Sequence, residues 1–319
     1  MALEVYTLIR LDRTRNRLFY SIKPLIPRSL QLLLRRRTVV WKRRRCAAVW
    51  PIDERAAAVP EGWPGWPEGK RFALVLTHDV DTARGQDRCL DLAKIEKDLG
   101  FRSSFNFVPR RYNVSAPLRE RLTEEGFEIG VHGLYHDGRY FTSRSLFCER
   151  ARQINAYLRQ WGAVGFRAPS MLHNLEWIGD LDIEYDASTF DTDPFEPQAD
   201  GVATIFPFLV PRADGRSPYV ELPYTLPQDF TLFVLLREDG IGTWKRKLAW
   251  VSDHGGMALL NVHPDYMAFG GRPGIEEYPA AYYREFLEHV RSVYGNQFWH
   301  GLPREAARWS ARQAFSKPV

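Results

Sequence analysis

Seven short apolar segments constrain the fold of this chain more than any other feature. In order along the sequence they read FALVLT, SSFNFV, FEIGVH, AVGFRA, IEYDAS, YVELPY and MALLNVH. Helical patterns such as DRCLDLAKIEKDLG and SRSLFCERARQINAYLRQWG lie between them. Strands that alternate with helices predict an α/β fold with a mainly parallel sheet. A set of about seven parallel strands favours a (β/α) barrel or a distorted barrel over an open sheet.

The helical segments carry their own stop signals. In the second quoted segment, residues at helical spacing form one apolar face made of Phe147, Ile154, Tyr157, Leu158 and Trp161. Glycine ends many helices because it readily adopts the left-handed conformation of the C-cap. Gly100 and Gly162 are therefore predicted to end the two helices.

Composition divides the chain into three segments. Residues 1–58 form a basic, partly helical arm, and residues 59–71 form a linker rich in tryptophan, proline and glycine, which contains VPEGWPGWPEGK. Residues 72–319 hold the seven apolar segments and are predicted to be the main domain. Residues 1–45 carry 13 Lys and Arg against 2 Asp and Glu, so the basic charge belongs to the arm. The rest of the chain carries 31 against 37 and is mildly acidic.

The cysteines and the N-terminal sequence indicate a location. The three cysteines lie far apart and form no C-x-x-C pair, which fits a reducing compartment. Glu4 and Arg10 interrupt the first apolar run, so it lacks the core of a signal peptide. No segment reaches the roughly 18–20 apolar residues that cross a bilayer. These features predict a cytoplasmic protein, with peripheral attachment to the inner membrane as an option that depends on the arm.

The basic arm contains the sequence SIKPLIPRSLQLLLRRR, which predicts a helix with Pro27 in its first turn. Leu30, Leu33 and Leu34 share one face of that helix, and three arginines follow them. A basic helix with a leucine stripe can lie on an anionic membrane surface, so residues 1–45 are a candidate for peripheral membrane contact. The alternative is that the leucines pack on the main domain and the arginines face solvent. Nucleic-acid binding is not favoured, because nothing downstream resembles a base-reading module.

Polar residues follow six of the seven predicted strands at their carboxyl ends. In a parallel α/β barrel all these ends open on one face, where active sites are built. Six strands would therefore deliver polar groups to a single cleft. These groups are His78, Asp79, Asp81, His132, His136, Arg167, Pro169, Asp186, Ser188, Glu221, His263 and Asp265.

Two of these histidines have the spacing of metal ligands. His132 and His136 are four residues apart, which on a helical turn places both imidazoles on one side. Two histidines and one carboxylate, with positions left open for water, make a catalytic zinc site. Asp81 or Asp79 could supply the carboxylate, and Asp79 could then act as a general base toward water. The alternatives are a hydrogen-bonded loop pair for the histidines and a capped turn for Asp79.

Three further residues at strand ends have more than one possible role. His263 would face the first strand across the barrel mouth, where a protonated imidazole could donate to a leaving group; the alternative is a core histidine. Arg167 could orient Asp79 or hold it ionised by ion pairing, or it could form a plain structural salt bridge. His78 is expected to support the site from behind or to belong to a turn.

The ordered motifs THDVD, HGLYH, FRAPS and NVHPD resemble those of the NodB-homology polysaccharide deacetylases, carbohydrate esterase family four, over roughly residues 70–300. The resemblance implies a distorted (β/α) barrel that removes acetyl groups from glycans with a divalent metal. It implies Asp81, His132 and His136 as metal ligands and Asp79 as the catalytic base. Arg167 would position the base and His263 would be the general acid, by the same resemblance.

The sequence departs from the family pattern in three places. Gly133 stands where a hydroxyl residue often follows the first metal histidine, and His78 stands where an apolar or aromatic residue is usual. The family motif that contains an aspartate and a tryptophan has no clean match. Asp186 and Glu221 are candidates for the carboxylate of that motif.

The resemblance, taken with the basic arm and the missing signal peptide, implies a hydrolase that removes an acetyl group from an N-acetylated sugar of a polysaccharide or of a lipid-linked glycan intermediate. The expected cofactor is a divalent metal, with Zn²⁺ first and Co²⁺ or Ni²⁺ as alternatives. Tyr135, Tyr224 and Pro169 are candidates for contacts with the glycan. The competing hypotheses are a small-molecule amidohydrolase that acts on a non-sugar amide and a catalytically inactive scaffold that binds glycan or membrane. A glycosyltransferase with a D-x-D metal site is not favoured, because it leaves HGLYH and NVHPD unexplained.

Overall fold

The computed structural model describes residues 28–313 of the chain. Within them lie eight α-helices: α1 Arg28–Arg45, α2 Ala83–Leu99, α3 Ala116–Glu124, α4 Arg144–Trp161, α5 Leu175–Ile178, α6 Gly242–Asp253, α7 Ala281–Tyr294 and α8 Pro303–Gln313. The same part of the chain contains eleven strands: β1 Phe72–Val80, β2 Ser104–Phe107, β3 Glu128–His132, β4 Gly165–Arg167, β5 Tyr185–Asp186, β6 Phe208–Val210, β7 Tyr219–Glu221, β8 Met257–Val262, β9 Met267–Ala268, β10 Tyr278–Pro279 and β11 Phe298–His300.

The main sheet contains the seven predicted strands, which are β1, β2, β3, β4, β5, β7 and β8, and all of their pairings with one another are parallel. From β8 the order across the sheet is β1, β2, β3, β4, β5 and β7. Two strands that were not predicted extend it. Strand β6 pairs antiparallel with β7, and β11 pairs with the first three residues of β1.

The sheet curls into a half-barrel because the segment after β7 turns toward β8. Leu226 forms a parallel bridge with Leu260, and its backbone N–H donates to the carbonyl of Leu259. The predicted distorted (β/α) barrel is therefore confirmed. As the helices lie between parallel strands, the carboxyl ends of the strands open on one side, as the sequence indicated.

Strand β1 runs through the centre of the core, and all nine of its residues are buried. Apolar side chains from β1, α2, α6 and α7 fill the largest cluster of the core. Gly100 and Gly162 follow α2 and α4 with φ angles of 79° and 61°, so both predicted helix stops are confirmed. These contacts fix the position of β1 and therefore the position of its last residues at the cleft.

Helix α1 packs on the domain through a different leucine from those expected. Leu32 and Val39 are buried against Val234 and Leu235. Leu30, Leu33 and Leu34 instead remain between 43% and 46% exposed, so they do not pack on the main domain. Pro27, Glu4 and Arg10 lie outside the described residues. No helix within residues 28–313 is long and apolar enough to cross a membrane.

The segment predicted as a linker is partly embedded in the fold. The Trp66 side chain is buried, its indole N–H donates to the carbonyl of Gly255 at 2.8 Å, and its ring stacks on Trp299 with centroids 6.0 Å apart. Residues 59–71 thus contribute to the core while they connect α1 to β1. The division into 1–58, 59–71 and 72–319 stays a prediction.

Candidate active site

Three side chains converge where β1 and β3 end. The Nε2 atom of His136 lies 3.0 Å from Oδ1 of Asp81, and Nε2 of His132 lies 3.4 Å from the same oxygen. One ligand atom from each residue falls within 4.8 Å of the other two. The structure therefore brings together the three side chains that the resemblance implied as metal ligands.

The ring of His132 is oriented by the next strand. Its Nδ1 lies 3.0 Å from the carbonyl oxygen of Arg167, so Nδ1 carries the proton and donates it to that oxygen. Nε2 then points toward Asp81. A backbone carbonyl that fixes the tautomer in this way is a usual support for a metal-binding histidine.

His132 and His136 do not share a helical turn. His132 is the last residue of β3, and His136 lies in a loop with a φ angle of 56°. A non-glycine residue in this left-handed region is strained and persists only when surrounding contacts impose it. The backbone of this loop, rather than helical periodicity, brings the two ring centroids to 5.3 Å.

Tyr140 takes the space that a side chain at position 133 would need. A Cβ atom on Gly133 would lie 2.6 Å from the Tyr140 hydroxyl oxygen and 2.6 Å from Cδ of Pro169. The same hydroxyl accepts hydrogen bonds from the backbone N–H groups of Leu134 and Tyr135. The departure from the family pattern at Gly133 is thus matched by a tyrosine that organises the loop between the two histidines.

The electrostatics of this cluster fit a bound cation. Burial alone would raise the pKa of Asp81, but the charge of His136 and the close approach of both imidazoles outweigh burial and hold that pKa well below its usual range. Oδ1 of Asp81 is buried and has no hydrogen-bond partner of good geometry within the described residues. Two imidazole nitrogens and an unsatisfied carboxylate oxygen around one point are a donor set that could hold a divalent metal ion, as in catalytic zinc sites with open positions.

The backbone of Asp81 is held by a carboxylate from the last motif. The N–H of Asp81 donates to Oδ2 of Asp265 at 2.9 Å. A Cβ atom on Gly85 would lie 2.1 Å from that oxygen, so the approach of Asp265 requires glycine at the start of α2. Asp265 therefore positions the backbone of Asp81 and is not one of the three candidate metal ligands.

Asp79 lies beside the cluster with both carboxylate oxygens occupied by donors. Oδ1 accepts from the amide of Asn106 at 3.0 Å, and Oδ2 accepts from the amide of Asn261 at 2.8 Å. Burial would raise the pKa of Asp79, but the charges of His132, Arg167 and His263 outweigh burial and hold the pKa well below its usual range. Asp79 is therefore a fixed, ionised carboxylate next to the cluster.

Arg167 is fully buried and holds Asp79 both directly and indirectly. Its Nη1 donates to Oδ1 of Asp79 at 3.3 Å and to Oδ1 of Asn261 at 2.7 Å. Its Nε donates to the carbonyl of Ala187 at 2.7 Å, which ties it to the end of β5. These contacts agree with the predicted positioning of Asp79, and they also serve as a structural ion pair.

His263 stands on the other side of Asp79 and is paired with an aspartate that the sequence interpretation missed. Its Nε2 lies 4.0 Å from Oδ2 of Asp79, and its Nδ1 donates to Oδ1 of Asp229 at 2.7 Å. Asp229 also accepts from the Tyr278 hydroxyl at 3.0 Å. Burial would lower the pKa of His263, but the carboxylate of Asp229, together with those of Asp81 and Asp79, outweighs burial and raises the pKa to about 10. His263 is therefore protonated at neutral pH.

Asp186 and Glu221, the candidates for the missing carboxylate, lie elsewhere. Asp186 accepts from the Ser188 hydroxyl at 2.6 Å, and Glu221 accepts from the Thr189 hydroxyl at 2.6 Å. Both are buried, and burial raises the pKa of each carboxyl. The contact with His263 belongs to Asp229 instead. Asp229 escaped notice because it follows no predicted strand and lies in the loop sequence LPQDF.

The candidates for glycan contact separate into exposed and buried residues. Tyr135 is 37% exposed, and its hydroxyl accepts from Arg110 at 3.0 Å. Tyr224 is only 1% exposed, and its hydroxyl donates to Asp193 at 2.8 Å, so its ring has no free face for a sugar. Pro169 is also buried and packs against Gly133. The assignments of Tyr224 and Pro169 to glycan contact are therefore wrong.

His78 has a structural explanation. Its side chain projects from β1 away from the cleft, and its Nε2 bonds to Oε1 of Glu96 on α2 at 2.8 Å. Glu96 is fully buried and also accepts from the hydroxyls of Ser103 and Tyr283. His78 thus supports the site from behind, because it satisfies a carboxylate that would otherwise be costly to bury.

The fold is shared with solved structures of two kinds. A proposed polysaccharide deacetylase from Mycobacterium smegmatis is 21% identical, with a TM-score of 0.61 over 82% of this chain and 97% of that chain. A proposed polysaccharide deacetylase from Pseudomonas aeruginosa is 17% identical, with a TM-score of 0.54 over 79% and 95% of the two chains. The allantoinase PuuE is 16% identical, with a TM-score of 0.55 over 78% and 93%. No family model and no curated protein sequence matches this chain. At these identities the similarity shows the fold, and it agrees with the NodB-like resemblance of the motifs.

Proposed function

We propose that the chain is a metal-dependent hydrolase that removes an acetyl group from an N-acetylated sugar of a polysaccharide or lipid-linked glycan. One observation carries the proposal: Asp79 is fixed between a three-ligand cluster on one side and the His263–Asp229 pair on the other. Amide hydrolysis needs a base that takes a proton from water and an acid that protonates the departing amine. Asp79 could be the base and His263 the acid, and the two side chains are 4.0 Å apart. The likeness to two proposed polysaccharide deacetylases supports the same substrate class.

Asp81, His132 and His136 are the residues that would hold the metal. A divalent metal in this place supplies a Lewis acid that polarises the acetyl carbonyl and lowers the pKa of nearby water. Imidazole and carboxylate donors suit Zn²⁺, and they also suit Co²⁺ or Ni²⁺. The carbonyl of Arg167 keeps His132 in the tautomer that this binding requires.

Asp79 is the proposed general base toward the attacking water. Because Asn106, Asn261 and Arg167 hold both of its oxygens, the carboxylate has little freedom to turn away from the substrate. Its low pKa keeps it ionised across the neutral range, so the form with a free lone pair toward water is the one present. Positioning of this kind lowers the barrier because the ordering cost is met during folding.

His263 is the proposed general acid. Nδ1 is committed to Asp229, so the proton for the departing sugar amine comes from Nε2. Asp229 keeps the imidazole charged at neutral pH, and it also fixes the direction of Nε2 through its bond to the His263 backbone N–H at 2.8 Å. Two residues with opposite charges at neutral pH thus carry the two proton transfers: anionic Asp79 accepts the proton of water, and cationic His263 donates a proton to the amine.

A second candidate is hydrolysis of a small, non-sugar amide. The similarity to the allantoinase PuuE favours it, since that protein has the same fold at a TM-score comparable to one of the deacetylases. The ligand cluster, Asp79 and His263 would serve this reaction equally well. The two candidates differ only in the substrate that the rim of the cleft accepts.

Acetate release tests the proposal directly. The purified chain would be incubated with N-acetylated oligosaccharides, lipid-linked N-acetyl sugars and small ureides, each with and without a chelator. We expect acetate from a glycan substrate, loss of release with chelator, and recovery when Zn²⁺, Co²⁺ or Ni²⁺ is added back. Release that ignores the chelator would contradict the metal mechanism. Ureides release no acetate, so their hydrolysis would be followed by loss of the ureide itself. Turnover of ureides alone would select the second candidate, and no turnover with full metal content would favour an inactive scaffold.

A further inference from the structure

Helix α1 has two faces with different contacts. One face lies on the domain: Arg36 donates to the carbonyl of Val234 at 2.9 Å, Lys42 donates to that of Pro194 at 3.2 Å, and Arg43 pairs with Glu238 at 2.9 Å. Leu32 and Val39 on the same face are buried. These five contacts fix the rotation of α1 about its own axis. They therefore determine which residues lie on the face that points away from the domain.

The opposite face is apolar and basic. Successive residues of a helix rotate by about 100°, so eight exposed residues fall within an arc of roughly 140°. They are Leu30, Leu33, Leu34, Arg37, Val40, Trp41, Arg44 and Arg45. The five apolar members are each between 42% and 50% exposed. Large exposed apolar side chains on one face, bordered by polar groups, mark an interaction site. We call these eight residues the outer face of α1.

Charge indicates what binds the outer face. Helix α1 contains eight Lys and Arg residues and no Asp or Glu. Within residues 28–313, neither Arg37 nor Arg44 has an ion-pair partner, and Arg45 lies over the ring of Trp41 with Cζ 3.9 Å from its centroid. Arginines that alternate with leucines and a tryptophan on one helical face match the surface of an anionic bilayer, which offers phosphates above and acyl chains below.

We propose that the outer face of α1 docks on an anionic lipid bilayer, with the leucines, Val40 and Trp41 in the acyl boundary and Arg37, Arg44 and Arg45 among the phosphates. The helix lies in the plane of the interface. Helix α1 is too polar to span the bilayer.

The docked helix adjoins the cleft. Arg35 lies over the ring of Phe230, with Cζ 4.9 Å from the centroid. Phe230 contacts Tyr266 at a centroid distance of 4.7 Å, and Tyr266 contacts the ring of His263 at 5.2 Å. Docking through α1 would therefore bring the cleft next to the headgroups. If the proposed function holds, the substrate class is an N-acetyl sugar that a lipid anchors in the same bilayer, rather than a free polymer.

Sedimentation with vesicles tests the docking without any substrate, so the answer does not depend on the chemistry. The full chain would be mixed with phosphatidylcholine vesicles with and without phosphatidylglycerol. We expect binding to the anionic vesicles only. The variant Arg37→Glu/Arg44→Glu should bind at least about 25-fold more weakly, because each basic residue near the surface contributes about fivefold. The matched control Arg152→Glu/Arg312→Glu reverses two exposed arginines on α4 and α8 and should bind almost as the parent chain does.

The apolar contribution is tested separately. Leu30→Gln/Leu33→Gln/Leu34→Gln should weaken binding on the order of 100-fold, since three half-exposed leucines lose their burial in the acyl boundary. The control Val59→Gln/Val293→Gln changes two valines that are more than half exposed elsewhere and should have little effect. Absence of vesicle binding, or equal losses in test and control variants, would overturn the proposal. A dimer in light scattering that the leucine variant dissociates, without vesicle binding, would assign the outer face to a second copy instead.

Discussion

Asp229→Asn should move the alkaline limit of activity down by several pH units. The substitution keeps the size of the side chain but removes the negative charge 2.7 Å from Nδ1 of His263. Two unit charges about 4 Å apart interact by about 4 kcal/mol at an effective dielectric constant of 20, which equals about 3 pKa units. The pKa of His263, raised to about 10 in the parent chain, should therefore fall to about 7. A general acid must be protonated to act, so its contribution is present below its pKa and is lost as the pH rises through it.

The assay is kcat measured from pH 5.5 to pH 10.5 with saturating metal, for the parent chain and the variant. The parent chain should keep its rate to near pH 10, whereas the variant should lose its rate above about pH 7 and approach the parent only in acid. Tyr278→Phe is the matched control, because it removes a neutral hydrogen bond to Asp229 and leaves the charge in place. An alkaline limit that stays near pH 10 in Asp229→Asn would refute the pairing of His263 with Asp229 as the source of the acid.

Two other substitutions test residues that support the site. Tyr140→Phe leaves the N–H groups of Leu134 and Tyr135 without their acceptor, so metal affinity measured by calorimetry should fall about 10–100-fold. Tyr157→Phe on α4 is its control, and equal affinities in the two variants would contradict the role of Tyr140. His78→Leu removes a partner from buried Glu96 and should lower the free energy of unfolding in urea by about 3 kcal/mol, with metal binding retained. The control His289→Leu should change it by less than about 0.5 kcal/mol, and a similarly small loss in His78→Leu would refute the buried pair.

The strand-end groups could be predicted from the sequence because they depend on local order alone. An apolar segment fixes where a strand runs, and the first polar residue after it marks the open end of the barrel. For this reason Asp79, Asp81, His132 and His263 were found without knowledge of the contacts between strands. The period of two along β1 also placed Asp79 and His78 on opposite sides, as the structure confirms.

Two asparagines that hold Asp79 can be recognised in the sequence. Asn106 lies within SSFNFV and Asn261 within MALLNVH, and both are buried polar residues inside apolar strands. An amide in such a place is costly to bury unless it has a hydrogen-bond partner. A partner on a neighbouring strand could therefore have been expected, and strand β1 pairs with both β2 and β8.

The remaining errors concern features that tertiary contacts decide. The loop that carries His136 depends on the Tyr140 hydroxyl and on Pro169, which no periodicity within HGLYH reveals. The sequence does not show whether a tyrosine outside a strand is exposed, so Tyr224 could be proposed as a sugar contact. In the structure its side chain is buried, and its hydroxyl donates to Asp193. Asp229 reaches His263 from a distant part of the chain, 34 residues away, so only the folded structure joins them.

Metal content and turnover measured together on Asp79→Asn test the central claim most directly. Asp79 touches the cluster only at its edge, with Oδ1 3.9 Å from Nδ1 of His132, whereas Asp81 lies at its centre. The account predicts that Asp79→Asn binds one metal per chain as the parent does and loses at least about a thousandfold in acetate release, while Asp81→Asn loses the metal. The assignment would be contradicted if the Asp79→Asn variant lost its metal while the Asp81→Asn variant kept it. It would also be contradicted if the Asp79→Asn variant kept its turnover.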